Sequence, residues 1–184
     1  GGGGWLNGGL VGGPSSPTIR NCTFTGNFAN AGGAFGNLAV DTTSSPSFIN
    51  CIFNNNYAKG GGGALWNLSL SGQANPVLIN CLLTGNFADT IGGGAIFNAA
   101  VFIGSGPAQC NPVLINCVLS GNRTNTSGGA MRSQTSGGGA SAPVIVNTIF
   151  WNNQATSGPV FYSTSGVTIS ITSCIFQSSY SQLN

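Results

Sequence analysis

The chain has 184 residues, of which two are acidic and four basic, with no histidine and a formal net charge of +2. Asp41 and Asp89 are the acids, and Arg20, Lys59, Arg123 and Arg132 the bases. This leaves no basic stripe for nucleic acid and no histidine for a metal or acid–base centre. The apolar residues, 41% of the total, come in short runs, none near the ~18 residues of a membrane-spanning helix.

Taken in chain order, the segments repeat. "GGGWLN" (2–7) opens the chain and "PTIRNCTFTGN" follows from Pro17; then come "GGAFGN" (32–37) and "PSFINCIFNNN" from Pro46. "GGALWN" (62–67) precedes "PVLINCLLTGN" (76–86), which returns almost unchanged as "PVLINCVLSGN" (112–122) after "GGAIFN" (93–98). "GGAMRS" (128–133), "PVIVNTIFWNN" from Pro143, the degraded "GPVFYS" (158–163) and "ITSCIFQSS" close the series. The third residue of the glycine motif, at Gly4, Ala34, Ala64, Ala95, Ala130 and Val160, steps by 30, 30, 31, 35 and 30 residues. This is an internal repeat of solenoid period.

Helical repeats draw on Leu, Glu, Lys and Ala, whereas this chain has no Glu, 31 Gly and cores rich in Ile, Val, Phe and Thr. Short apolar runs bounded by Gly, Asn, Ser and Pro predict strands separated by tight bends. Identical residues once per turn suit coils stacked in parallel about 4.8 Å apart, each side chain lying on its own copy above and below. The expected fold is an all-β parallel β-solenoid of about six rungs, a single domain over 1–184 with an inserted loop at 99–111.

The pairing of "GGA" plus an aliphatic residue with "NCxFxGN" resembles the right-handed parallel β-helix repeats of the pectin-lyase-like superfamily. It is most similar to the GGAI and FxxN repeats of polymorphic outer membrane proteins and related secreted bacterial surface proteins. The resemblance covers essentially the whole chain and implies a right-handed β-helix at an extracellular or cell-surface location. Proteins of that class include adhesins, structural surface layers and carbohydrate-cleaving enzymes.

Each column has an expected role. Asn21, Asn50, Asn80, Asn116 and Asn147, continued by Ser173, are expected to form an inward amide ladder at a bend, because Asn tolerates the left-handed conformation and stacked amides bond rung to rung. Asn27, Asn56, Asn86, Asn122 and Asn153 form a second such series, and Asn7, Asn37, Asn67 and Asn98, continued by Ser133 and Ser163, a third. Phe24, Phe53, Leu83, Leu119, Phe150 and Phe176 form the clearest core stack. Cys22, Cys51, Cys81, Cys117 and Cys174 share one column, Thr148 replacing the sixth member. Adjacent copies fall within disulfide range, but proximity does not settle pairing, and a ladder of buried free thiols is a sufficient account of the column. Cys110 lies in the insertion. Of four sequons, at Asn21, Asn67, Asn122 and Asn125, three stand at ladder positions, leaving Asn125 as the expected glycan acceptor.

The strand segments "VLI" and "CLL" do not alternate apolar with polar. If Leu78 and Leu114 point inward, Val77, Ile79, Val113 and Ile115 point outward; the opposite parity exposes the other row. Some outer face is therefore apolar, and either the insertion folds over it or another copy or partner does.

With the two Asp at different positions of the repeat, a paired general acid and base is not expected, and no catalytic, cofactor-binding or metal residue is assigned. No cofactor is implied. The expected function is that of a non-enzymatic extracellular structural protein, self-assembling into a filament or coat; an adhesive passenger segment of a larger surface protein is the alternative, and a carbohydrate-active enzyme the third class. Expected partners are copies of the chain itself, head to tail or lateral, and a surface or glycan ligand. The cysteine column leads the glycine marker by 12 to 14 residues, as from Cys22 to Ala34 and Cys81 to Ala95. The Gly4 of a following copy would stand 14 beyond Cys174, so a head-to-tail stack is expected to continue in register.

Overall fold

A computed structural model describes residues 2–10, 13–104 and 106–177. Every strand pair among them is parallel, and each joins one repeat to the next. The longest strands, Trp5–Gly9, Phe35–Val40, Leu65–Leu70, Ile96–Val101, Met131–Ser136 and Phe161–Ser163, form one sheet in that order. A second six-stranded sheet runs from Thr18–Arg20 through Ser47–Ile49, Val77–Ile79, Val113–Ile115 and Val144–Val146 to Ser170–Thr172. A third takes Thr23–Thr25, Ile52–Asn54, Leu82–Thr84, Val118–Ser120, Ile149–Trp151 and Ile175–Phe176. A short four-stranded sheet holds Phe28–Ala29, Tyr57–Ala58, Phe87–Ala88 and Arg123–Thr124. Together they make a parallel β-solenoid of about six turns.

The register is the one written in the sequence. Val77 sits on Val113 and Ser47, Leu83 on Leu119 and Phe53, and Asn98 on Asn67 and Ser133. One hydrophobic core therefore runs the length of the coil, with Phe35, Phe48, Phe53, Leu65, Leu78, Leu83, Ile96, Leu114, Leu119 and Phe150 fully buried. The Phe24 and Phe53 rings stack with centroids 5.0 Å apart and planes 3° from parallel, and Phe150 and Phe176 repeat this at 5.3 Å and 5°. Burying an aromatic side chain contributes roughly 1.5–3 kcal/mol, and such stacking adds about 0.5–1.5 kcal/mol more.

The paired glycines have separate tasks, as Gly62 and Gly63 show. Gly62 takes φ +67°, which a side chain rarely adopts, and a Cβ on Gly63 would collide with the Gly94 carbonyl of the next rung. The same two constraints recur at Gly93 and Gly94, and at Gly128 and Gly129.

The insertion is shorter than its expected bounds of 99–111. Ala99, Ala100 and Val101 remain in the long strand, paired with Leu68, Ser69 and Leu70, and Gln109 already bridges Gln73 and Ala140. The strand thus outlasts the "GGAIFN" motif by three residues, and the excursion is confined to the stretch between Phe102 and Ala108. It is tied to the rung below, where the Ile103 and Gly104 amides donate to the Ser71 hydroxyl at 2.9 and 2.6 Å. Ala39, Ala74, Ala100, Ala108 and Cys110 form a small second core behind it. The expected closure of the last rung before Asn184 lies outside the described residues.

Candidate functional site

The most regular exposed feature is the corner between the second and third sheets. Its bend is made by one residue per rung: Asn21, Asn50, Asn80, Asn116, Asn147 and Ser173 all take φ between 50° and 55°. These are the left-handed positions expected of the column, but its direction is the reverse of the expected one, for every member is exposed. The reason is local. Leu78 points in and Ile79 out, and the left-handed residue then breaks the alternation, so that Asn80 also faces solvent while Cys81 returns to the core. The amides still bond along the axis, Asn50 to Asn21 and Asn80 to Asn50 at 3.2 Å and Asn147 to Asn116 at 2.7 Å.

On one side this amide file is flanked by an apolar row. Ile52, Leu82, Val118, Ile149 and Ile175 point outward, with Ile52 39% and Ile175 56% exposed. On the other side stand the partly exposed Ile49, Ile79, Ile115 and Val146, and Leu78 and Leu114 are fully buried, which fixes the parity. Two shallow depressions follow the corner. One of about 430 Å³ runs from Asn50 to Asn116, and one of about 250 Å³ continues from Asn116 to Ser173. The described residues of the insertion bond to the Ser71 corner, through the Ile103 and Gly104 amides.

The second asparagine series is the inward one. The Nδ2 groups of Asn56, Asn86 and Asn122 each donate to the Oδ1 of the next rung at 2.9–3.0 Å and to a carbonyl of the rung before. Each Oδ1 also accepts a backbone N–H, as Asn86 does from Asn56. The third series is likewise buried, with Asn67 donating to Asn98 at 2.9 Å and Asn98 to the Ser133 hydroxyl at 3.1 Å. Of the sequon residues, Asn67 and Asn122 are buried, whereas Asn21 is exposed as Asn125 is, which corrects the expectation that Asn125 is the one acceptor facing solvent. The Asn125 amide is engaged, donating to the Asp89 carboxylate at 2.8 Å.

An outer aromatic file escaped the sequence reasoning. Phe28 and Tyr57 stack at 5.1 Å, Tyr57 and Phe87 at 5.4 Å, and the Arg123 guanidinium lies 4.6 Å from the Phe87 ring centre. The signal was present, since each of these residues directly follows a member of the second asparagine series. Cation–π contact of this kind contributes about 0.5–1 kcal/mol at exposed sites.

The two acids lie at different corners. Asp41 follows the long strand Phe35–Val40, while Asp89 follows Phe87–Ala88 and accepts from the Tyr57 hydroxyl at 3.3 Å. No group of three or more His, Cys, Asp or Glu residues able to hold a metal ion occurs among the described residues. No helix there is long and apolar enough to cross a membrane. No protein-family model, curated protein or solved structure matches this chain.

Proposed function

We propose that this chain is a non-enzymatic structural protein of an extracellular or cell-surface assembly, a right-handed β-helix like the surface-protein repeats its motifs resemble. One observation carries the reading: the corner strip, an amide file flanked by apolar rows, runs through successive rungs with no charged side chain between Asn50 and Ile175 in its lining. A contiguous apolar strip of this kind marks a contact surface. Neighbouring copies would cover it laterally.

Growth along the axis is the second part of the proposal. The strands of the outermost described rungs, such as Thr23–Thr25 and Ile175–Phe176, each have a described neighbour on one side only, and such edges accept a further strand. Repetition of this heterologous contact gives an open filament with a subunit repeat of roughly 29 Å, six rungs at about 4.8 Å. Electron microscopy of the purified chain tests it: fibres with that repeat are expected, and Leu82→Lys with Val118→Lys should abolish lateral bundling. A chain that stays monomeric at high concentration would sink the assembly reading. Catalytic silence is tested separately, since reproducible cleavage of an acidic glycan that vanished in Asp41→Asn or Asp89→Asn would make the protein an enzyme.

The depression between Asn50 and Asn116 favours a second reading, an adhesive segment whose exposed amides hydrogen-bond a glycan. Glycan-array binding lost in Asn80→Asp with Asn116→Asp would select it.

A further inference from the structure

The cysteine column holds an unbroken run, Cys22, Cys51, Cys81 and Cys117, which Thr148 ends before Cys174. All are free thiols, and Cys51, Cys81 and Cys117 are buried. Cys81 and Cys117 occupy matching places on neighbouring rungs, between the paired residues Ile79 and Ile115 on one side and Leu82 and Val118 on the other. The Val118 amide donates to the Cys81 carbonyl at 2.9 Å, which holds the two backbones side by side. Strands so paired are about 4.8 Å apart, inside the ~4.4–6.8 Å Cα separation that a disulfide spans. The same spacing holds along the whole run, so backbone geometry by itself selects no pair.

The side chains do select one. The Cys81 and Cys117 thiols are hydrogen-bonded to each other, whereas Cys51 meets the Cys22 and Cys81 sulfurs only as neighbouring charges. On its other side Cys117 faces Thr148, whose hydroxyl accepts the Cys117 N–H at 3.3 Å. Cys81 is therefore the one column neighbour of Cys117 that has a sulfur. Cys110 belongs to the separate core behind the insertion.

We infer that Cys81 and Cys117 are a disulfide site, closed by a disulfide oxidant as the chain folds and stapling together the two rungs that the insertion separates along the chain. The inference does not depend on the proposed assembly. The link closes the longest step of the run, 36 residues against 29 from Cys22 to Cys51 and 30 from Cys51 to Cys81. It thereby restricts the unfolded chain across the rung that bears the excursion between Phe102 and Ala108.

The chemistry balances as thiol–disulfide exchange. The hydrogen bond between the thiols holds Cys117 below the ordinary thiol value in spite of its burial and pushes Cys81 up, so Cys117 supplies the first thiolate. It attacks one sulfur of the oxidant's disulfide; that S–S bond breaks, and one reduced thiol leaves. The Cys81 thiol then loses its proton to solvent, and its sulfur attacks Cys117 Sγ, releasing the second thiol of the oxidant. Two protein thiols are oxidised and one disulfide is reduced to two thiols. Both sulfurs are shielded in the finished coil, so the exchange belongs to folding, before the Thr148 rung stacks over Cys117.

The test is to refold the reduced, denatured chain in a mixture of oxidised and reduced glutathione, quench it with acid, alkylate it and map its chymotryptic peptides by mass spectrometry. A linked pair of peptides carrying Cys81 and Cys117 of one chain is expected. Cys117→Thr, which repeats the column's own replacement at Thr148, should abolish that link, and Cys51→Thr should keep it. In the double variant Cys22→Ser with Cys51→Thr, full reduction should lower the melting temperature by several degrees. Cys81 and Cys117 recovered as free thiols, Cys81 linked to Cys51, chains joined through either sulfur, or a double variant that melts alike oxidised and reduced would each overturn the assignment.

Discussion

Two asparagine columns share a period, a residue type and a spacing of six positions, from Asn50 to Asn56, from Asn80 to Asn86 and from Asn116 to Asn122, yet they do opposite things. The first turns the chain and shows its amides to water. The second holds the interior, where each amide satisfies two neighbours and a strand carbonyl besides. Repetition therefore fixes that a position stacks on itself and leaves open which way it faces. For the outer file, backbone conformation is the reason for Asn; for the inner file, it is the side chain's capacity to donate and accept at once.

The largest expected effect lies in the inner file. Asn86→Leu leaves the buried Asn56 amide N–H without its partner and removes three further bonds, from Asn56 Nδ2 and to the Phe53 carbonyl and Asn122 Oδ1. A lost hydrogen bond costs about 1 kcal/mol and the orphaned N–H about 1–3 kcal/mol, so the loss should be roughly 5 kcal/mol. Urea unfolding with an unchanged m value checks it. A loss below about 1 kcal/mol would mean that the inner file is not the structural one.

Next comes the same inward rule applied to a thiol. Burial pushes Cys110 from 9.0 up to about 12. A folded-state pKa raised above the unfolded value means stability that is complete below about pH 9 and is lost as the pH climbs from 9 toward 12. Three pH units correspond to about 4 kcal/mol at the far end of that window. Thermal melts between pH 8 and 11 should fall less steeply in Cys110→Ala than in the parent, whatever the variant's starting stability. Parallel slopes would remove Cys110 as the source.

How much of this was legible in the sequence follows from the physics of stacking. Val77 over Val113 and Leu83 over Leu119 were readable because a coil that repeats its own shape places like on like. The left-handed conformation of Asn80 was readable too, because few residues tolerate it. The outward turn of its side chain was not, since a single left-handed residue interrupts the alternation on which inside and outside are assigned. The aromatic file of Phe28, Tyr57 and Phe87 was readable in principle, as the column one residue after the second asparagine series, although Arg123 breaks its chemistry on the next rung. Ala99 to Val101 were assigned to a loop because strand length is set by the neighbouring rung, here Leu65–Leu70, and not by a motif boundary. The function of the corner is a matter of what covers it, which no column of one chain spells out.

A smaller effect separates the two uses of Asn within one position. Asn80→Ala should cost about 1–2 kcal/mol, because a Cβ-bearing residue without a local hydrogen-bonding side chain is disfavoured at φ 54°. The lost amide bond to Asn50, exposed and 3.2 Å long, adds little.

The smallest effect is the most discriminating. Glycine adopts the left-handed conformation without strain, so Asn80→Gly keeps the bend and deletes only the amide. Against this stands the extra freedom glycine gives the unfolded chain, which lowers stability by a few tenths of a kcal/mol. The exposed amide bond to Asn50 exchanges readily for water, so the net change should stay within about 0.5 kcal/mol, the range of ordinary surface substitutions. Asn86→Gly at the inner file, by contrast, should lose nearly as much as Asn86→Leu, because there the amide itself is needed. Measured side by side by urea unfolding, the two glycine variants should differ by roughly 4 kcal/mol. Equal losses would show that one rule governs both columns, and the distinction between a turning asparagine and a bonding one would fall.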